Sequence, residues 1–190
     1  MHDTDIRESI LNAAAARFIH YGYSKTTIAE IASDCHMSVG NIYRFFENKE
    51  AIALAGVERK LTDKAEACER ATASTSPAVE QLNQYMLARL RYTHQMSCGA
   101  HLFELVELIT QKHGDLIQRF DVRAADHIAV ILQHGMAQGE LRTMDAQREA
   151  AAILLATTAF CVPIFMQEDL PVLEEKLNHV MALLYQGLKR

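Results

Sequence analysis

Residues 26–50 read TTIAEIASDCHMSVGNIYRFFENKE, and the reading of that stretch decides the fold. Ile28, Ala29, Ile31 and Ala32 recur at helical spacing behind Thr26 and Thr27, either of which can cap a helix start. Ser38 is a second cap, opening a run through Gly40, Asn41, Ile42, Tyr43 and Phe46. Between the runs stand Cys35, His36 and Met37. In a chain with nine histidines, a Cys beside a His is either the start of a metal site or the bend between two short helices. The bend has a physical basis, because His is one of the non-glycine residues that tolerate positive φ.

Working outward, Ile6, Ile10, Ala13, Ala14 and Phe18 give one apolar face to a preceding helix, with Asp3, Thr4 or Asp5 as its cap and Gly22 at its stop. Asn48 caps a longer helix running to about Arg70. Three short helices, the last two joined by three or four residues, make a helix-turn-helix. The second helix needs small inward residues for a close crossing, and Ala29 and Ala32 supply them. The third must present short side chains to a major groove, and Ser38, Val39, Gly40 and Asn41 do so. Gly40 costs about 1 kcal/mol inside a helix. Either a close approach of backbone to DNA or a tight helix crossing accounts for it.

The rest of the chain also reads at helical period. The small, polar stretch at 71–77 ends in Pro77, and helices follow at roughly 78–95, 99–111, 114–138, 146–167 and 169–188. The last carries a stripe of Leu170, Leu173, Leu177, Val180, Leu184 and Leu188, and Pro163 is expected to bend the helix before it. Residues 150–166 hold no charge over 17 positions, but a spanning helix needs about 20 and basic flanks are usual. Glu149 and Glu168 flank this one, which points to a core or a subunit interface. With no strand alternation, the expected class is all-α, about nine helices. A three-helix head at 1–47 precedes a helical bundle at 48–190, the two connected by the helix at 48–70.

Composition narrows the function without deciding it. The chain has 190 residues, 49% hydrophobic and 23% charged, with a net charge of −5. Residues 1–50 hold five basic side chains against seven acidic, so any nucleic-acid contact has to be local and geometric. Cys35, Cys68, Cys98 and Cys161 form no CxxC pair, and residues 1–5 lack a signal peptide's basic and apolar regions; a cytoplasmic protein with reduced thiols is expected. No phosphate-binding loop, GxSxG or HExxH motif occurs, so no enzyme and no cofactor is expected.

The pattern Phe18-x3-Gly22-Tyr23-x2-Thr26-Thr27-Ile28-x2-Ile31-Ala32-x5-Ser38-x-Gly40-x-Ile42-Tyr43-x2-Phe46-x2-Lys49-Glu50 resembles the N-terminal domain of the TetR family of transcriptional repressors. The resemblance covers about 45 residues; the remainder is similar only in layout. It implies a ligand-responsive repressor that binds a palindromic DNA operator as a homodimer through its last two helices. It also implies that Thr26 and Thr27 touch phosphate, that Ser38, Val39, Gly40, Asn41 and Tyr43 face the groove, and that Tyr43 and Lys49 clamp phosphate, with Arg44 adding a charge nearby. Two departures stand out. Cys35, His36 and Met37 replace the turn common in the family, and Phe45 replaces a His or Tyr, which removes one phosphate contact and makes the salt dependence shallower by about 0.9 in slope.

The family layout further implies an effector pocket among the long helices. Its candidate lining is His94, Cys98, His101, Phe103, Glu104, Phe120, His127, Cys161 and Phe165, suited to a small, moderately apolar organic molecule, though each of these can equally be core. His94, Cys98, His101 and Glu104, spaced four, three and three, raise the alternative of a metal-responsive regulator, but Gly99 interrupts the helix there and no metal is expected. A TetR-like architectural DNA-binding protein is the other alternative.

Overall fold

A computed structural model describes residues 3–72, 76–97 and 101–189. Among them are nine α-helices and two short 3-10 turns, with no strand beyond an isolated bridge of Leu141 with Lys189. The helices are α1 Asp3–Tyr21, α2 Ile28–Asp34, α3 Val39–Tyr43, α4 Lys49–Ala71, α5 Ala78–Met96, α6 Leu102–Lys112, α7 Gly114–Ala137, α8 Ala146–Ala156 and α9 Leu170–Leu188. The chain divides into two compact units, Met1–Leu61 with Cys98–Ile117 and Thr62–Ser97 with Gln118–Arg190. The division falls inside α4.

In the first unit, Ile10, Leu11, Ala14 and Phe18 on α1 meet Ile31 and Ala32 on α2, Ile42 on α3, Phe46, Ile52 and Ala53, and Leu105 on α6. Each fully buried aliphatic side chain stabilises by about 1.5–3 kcal/mol, which lets helices too short to stand alone persist. Ala29 departs from expectation: it is exposed, and Ala32 alone lets α2 and α3 pack closely. Gly22 ends α1 at φ 94°, its N–H donating to Phe18 O at 3.1 Å. Arg17 then ties α1 to α2, its guanidinium donating to Asp34 Oδ2 at 2.5 Å and Oδ1 at 2.9 Å and lying 3.2 Å from Glu30.

The second unit centres on α5, which packs against α9. Leu82, Tyr85, Met86 and Leu90 of α5 bury with Ile128 and Leu132 of α7, Ala150 and Ile153 of α8, and Leu173, Leu177 and Met181 of α9. A side chain at Gly135 would put its Cβ 2.6 Å from that of Ala78, so this close approach requires glycine. The helix expected at 146–167 is instead α8 followed by turns at Thr158–Phe160 and Pro163–Phe165. Thr157 and Thr158 donate back to Ile153 O at 2.7 Å and Leu154 O at 3.0 Å. Pro163 holds Val162 extended at φ −110°, ψ 120°, so the expected bend becomes a break. Among the described residues no helix is long and apolar enough to cross a membrane.

Candidate functional site

The helix-turn-helix is built by its caps. Thr27 opens α2 with a reciprocal capping box: its Oγ1 accepts from the Glu30 N–H at 3.3 Å, while its own N–H donates to Glu30 Oε2 at 2.8 Å. α2 closes with the Met37 N–H donating to Ala32 O at 2.8 Å and the His36 N–H to Ser33 O at 3.0 Å, the paired pattern of a Schellman end. His36 takes the left-handed position at φ 55° where glycine is usual, as its place in the turn predicts. Cys35 turns inward, its thiol donating to Ser9 O at 3.6 Å, and burial pushes that thiol's pKa up. Cys35 and His36 thus form the bend between two helices, and Cys35 packs on α1.

α3 begins at Ser38, whose Oγ accepts from the Asn41 N–H at 3.2 Å. Ile42 is its buried anchor, while Ser38, Val39, Gly40, Tyr43 and Arg44 are exposed and Asn41 is half-buried. Arg44 donates to Asn41 Oδ1 at 3.3 Å, which leaves the Asn41 amide N–H groups to face outward chemistry. A Cβ added to Gly40 would meet nothing nearer than Ser38 Oγ at 3.9 Å, so no helix crossing inside the protein asks for glycine there. Phe45 is half-buried against the unit's core.

Two residues expected at phosphate are engaged inside the head instead. Thr26 is 2% exposed, and its hydroxyl donates to Gly22 O at 2.8 Å, so Thr27 is the accessible member of the pair. Lys49 sits over the Tyr23 ring at 4.3 Å, its Nζ donating to Tyr23 O at 2.7 Å and Thr26 O at 2.8 Å, and burial lowers its pKa. Glu104 does related work: its Oε2 accepts from the Ser24 N–H at 2.8 Å, and its carboxylate covers Gly22 so closely that a Cβ there would lie 2.6 Å from Oε1. Ser24 holds the Glu104 carboxyl below its ordinary pKa.

The nine pocket candidates are divided between the two units. His101, Phe103 and Glu104 belong to the first unit, with Phe103 exposed and His101 3.5 Å from Glu104. Cys98 lies outside the described residues. His94, Phe120, His127, Cys161 and Phe165 belong to the second unit; His94 lies 3.3 Å from Glu168 O, Phe120 is half-buried, and Phe165 is exposed. His127 stacks on Tyr85 at 5.1 Å and bonds to Thr72 Oγ1 at 2.8 Å. Because that hydroxyl gives its proton to Glu69 O at 2.8 Å, His127 Nε2 must be the donor. Among the described residues no three His, Cys, Asp or Glu side chains gather as a metal site.

Sequence reasoning passed over Lys64 on α4 and Arg89 on α5. Both reach Cys161, Arg89 Nε donating to its Sγ at 3.4 Å and Lys64 Nζ to its carbonyl at 3.5 Å. Burial first, and Arg89 next, lower the Lys64 pKa to about 8. The signal was present: Arg89 falls in the apolar phase of α5, among Leu82, Tyr85, Met86, Leu90 and Thr93, where a charge is out of place.

Comparison with known proteins agrees with this geometry. Residues 10–55 match the family profile "Bacterial regulatory proteins, tetR family", and residues 78–181 match "Tetracyclin repressor-like, C-terminal domain". The chain is similar to the uncharacterized HTH-type transcriptional regulator YhgD of Bacillus subtilis (strain 168), 26% identical over 152 residues, 79% of each chain. In fold it is similar to a transcriptional regulator from Cytophaga hutchinsonii, with a TM-score of 0.78, 23% identity and 96% and 98% of the two chains covered. It is also similar to Thermus thermophilus FadR in complex with lauroyl-CoA, with a TM-score of 0.64, 25% identity and 97% and 96% covered.

Proposed function

This chain belongs to the tetR family of bacterial regulatory proteins and is a DNA-binding transcriptional regulator, not an enzyme, and we propose that it is a repressor that binds a near-palindromic operator as a homodimer and is released by a small organic effector. The observation that carries the reading is the outward face of α3. Ile42 roots the helix, and nothing in the protein fills the space in front of Gly40. A glycine in the first turn of α3 with no internal use is explained by close approach of the backbone to DNA. Asn41 then offers its amide to an adenine edge, Val39 its methyls to a thymine, and Thr27, Ser38, Tyr43 and Arg44 reach phosphate or sugar. Lys49 acts by holding the loop that presents Thr27.

Residues 1–47 are the reading domain and 48–190 the effector and dimerisation domain, which opens with α4 as the connecting helix. Leu155 on α8 is 78% exposed and Leu183 on α9 63%, with Val172 also exposed; a symmetric pairing of these helices covers them. Two copies would set their α3 helices in major grooves about 34–36 Å apart. An organic effector has a precedent in the similar Thermus thermophilus FadR, which is in complex with lauroyl-CoA. To reduce DNA binding, the effector has to prefer the DNA-incompetent form.

Selection from a random DNA pool with the full-length protein, followed by light scattering, tests this. The expected outcome is an inverted repeat with half-sites about one helical turn apart, bound by a dimer. Enrichment of no sequence, or a monomer on a single half-site, contradicts it.

A further inference from the structure

The interior of the second unit contains an arrangement that folding alone does not ask for. Lys64 from α4 and Arg89 from α5 converge on one residue, Cys161, between the two 3-10 turns. By surface area both residues are half-buried; their charged ends sit deeper, where burial acts against the charge on each, a penalty that lowers the Lys64 pKa but is outweighed at Arg89 by Cys161, Tyr85 and Cys68, which raise its pKa. Among the described residues no carboxylate lies within ion-pair distance of either. Glu69, on the same helix, is held by Arg123, which donates to its two oxygens at 2.7 and 2.9 Å. Asp121 acts on Lys64 only weakly and is exposed.

The groups around Arg89 are weak substitutes for an anion. Burial pushes the Tyr85 hydroxyl up to about 12 and the Cys68 thiol to about 11, so both are neutral at pH 7. Lys64 feels Arg89 as a like charge. Two desolvated cations facing each other, with only neutral acceptors (the Cys161 thiol and carbonyl and the Tyr85 hydroxyl), are destabilising unless something negative joins them. Tyr85, Cys68, Phe160 and Cys161 belong to one apolar cluster beside the pair. The surroundings therefore suit a molecule with a negative end and an apolar body.

We propose that Lys64 and Arg89 form the anchor of the effector site and that the effector is an amphipathic oxyanion, its carboxylate or phosphate lying between the two cations and its apolar body beside Tyr85 and Phe160. The assignment rests on the ligand-responsive reading above and narrows its ligand class. Arg89 supplies the planar, always charged fork; Lys64, poised near neutrality, supplies a charge completed on binding. An arriving anion raises the affinity of Lys64 for its proton, so binding takes up protons near pH 8 and weakens as pH rises above it. The groups facing Lys64 from its neighbours are Arg89, Cys161, Cys68 and Asp121; of these Arg89 alone opposes the proton.

Calorimetric titration of the full-length protein, without DNA, tests the site with octanoate, octyl phosphate and octan-1-ol. Saturable binding of an anion is expected, with the alcohol about tenfold weaker or worse. A preference for octanoate over octyl phosphate identifies a carboxylate, the reverse a phosphate. Arg89→Gln and Lys64→Met, checked for folding by circular dichroism, should each lower anion affinity about tenfold and leave the alcohol unchanged. Lys64→Arg should keep the affinity and abolish the proton uptake, which a packing role would not predict. No anion binding, equal binding of the alcohol, or anion binding indifferent to both substitutions overturns the assignment. So does alkylation of Cys161 that is fast at pH 6.5 and lost in Arg89→Gln, since the cations would then serve a thiolate. Anion binding through both cations by a protein that selects no operator would remove the repressor reading and leave this site standing.

Discussion

The reading head and the interior of the second unit treat charge in opposite ways. In the first unit three half-buried charges are held inside the protein: Arg17 is closed onto Asp34 and Glu30, Lys49 onto two carbonyls, and Glu104 onto the Ser24 N–H. What remains on α3 for a partner is short, mostly uncharged and outward. In the interior of the second unit, Lys64 and Arg89 meet without an opposite charge. A surface that reads base edges gains from rigidity, because a misplaced donor loses its acceptor. A site that responds to a ligand gains from an arrangement which the ligand completes.

The sharpest way to break this contrast is to remove the Lys64 charge. Burial first, then Arg89, lower its pKa to about 8 from 10.5, so the unfolded chain holds that proton more tightly. The ligand-free protein then becomes more stable as pH rises from about 8 toward 10.5, and Lys64→Met at pH 7 should gain about 3 kcal/mol in urea unfolding, an advantage that shrinks across that window. A loss of stability at pH 7 would mean that an internal counter-charge exists. In the head the same operation has the opposite sign: Lys49→Met is expected to lose about 2 kcal/mol with its two carbonyl bonds, and to weaken binding to operator and random DNA alike. An unchanged unfolding curve would show those bonds to be idle and return Lys49 to the phosphate backbone.

Gly40→Ala separates stability from reading within α3. With no atom closer than 3.9 Å to the new Cβ, the head should gain up to about 1 kcal/mol from helix propensity. Operator affinity should nevertheless fall by roughly 1–3 kcal/mol, the cost of one misfit at the base edges. A thermal scan and a binding isotherm that move together would remove the reason given for the glycine. His36→Gly is the mildest change. Relief of a positive φ should raise the melting temperature slightly, by up to about 1 kcal/mol in stability, with DNA binding kept.

Much of the fold was legible in the sequence because helical period survives without tertiary information. The apolar positions of α1 and α9, the Ser38 cap, the bend at His36 and the stop at Gly22 all lie where spacing and turn chemistry put them. Depth in a short helix is harder to read. α2 has seven residues, and the same pattern that buries Ala32 leaves Ala29 exposed. Thr26 precedes the capping residue by one position, which turns it into the core rather than toward phosphate.

Long side chains were the other difficulty. Lys49 has the reach to point either way, and the free carbonyls of Tyr23 and Thr26, set by the end of α1, turn it inward. Glu104 lies some 80 positions from the loop it caps, a pairing that no local pattern encodes. The unbroken apolar run at 150–166 concealed the break after α8, because back-bonding threonines and the residue before a proline leave hydropathy unchanged. Arg89 was readable, as a charge in the wrong phase of an amphipathic helix.

Asn41→Ala tests most directly the proposal that α3 reads DNA. Anisotropy titrations at one fixed salt concentration should compare the selected operator with random duplex of equal length. The expected result is a loss of about tenfold or more on the operator, with random-DNA affinity unchanged, since an adenine-edge contact is worth about 1–3 kcal/mol and carries no phosphate. Equal operator affinity for Asn41→Ala and wild type would contradict the account.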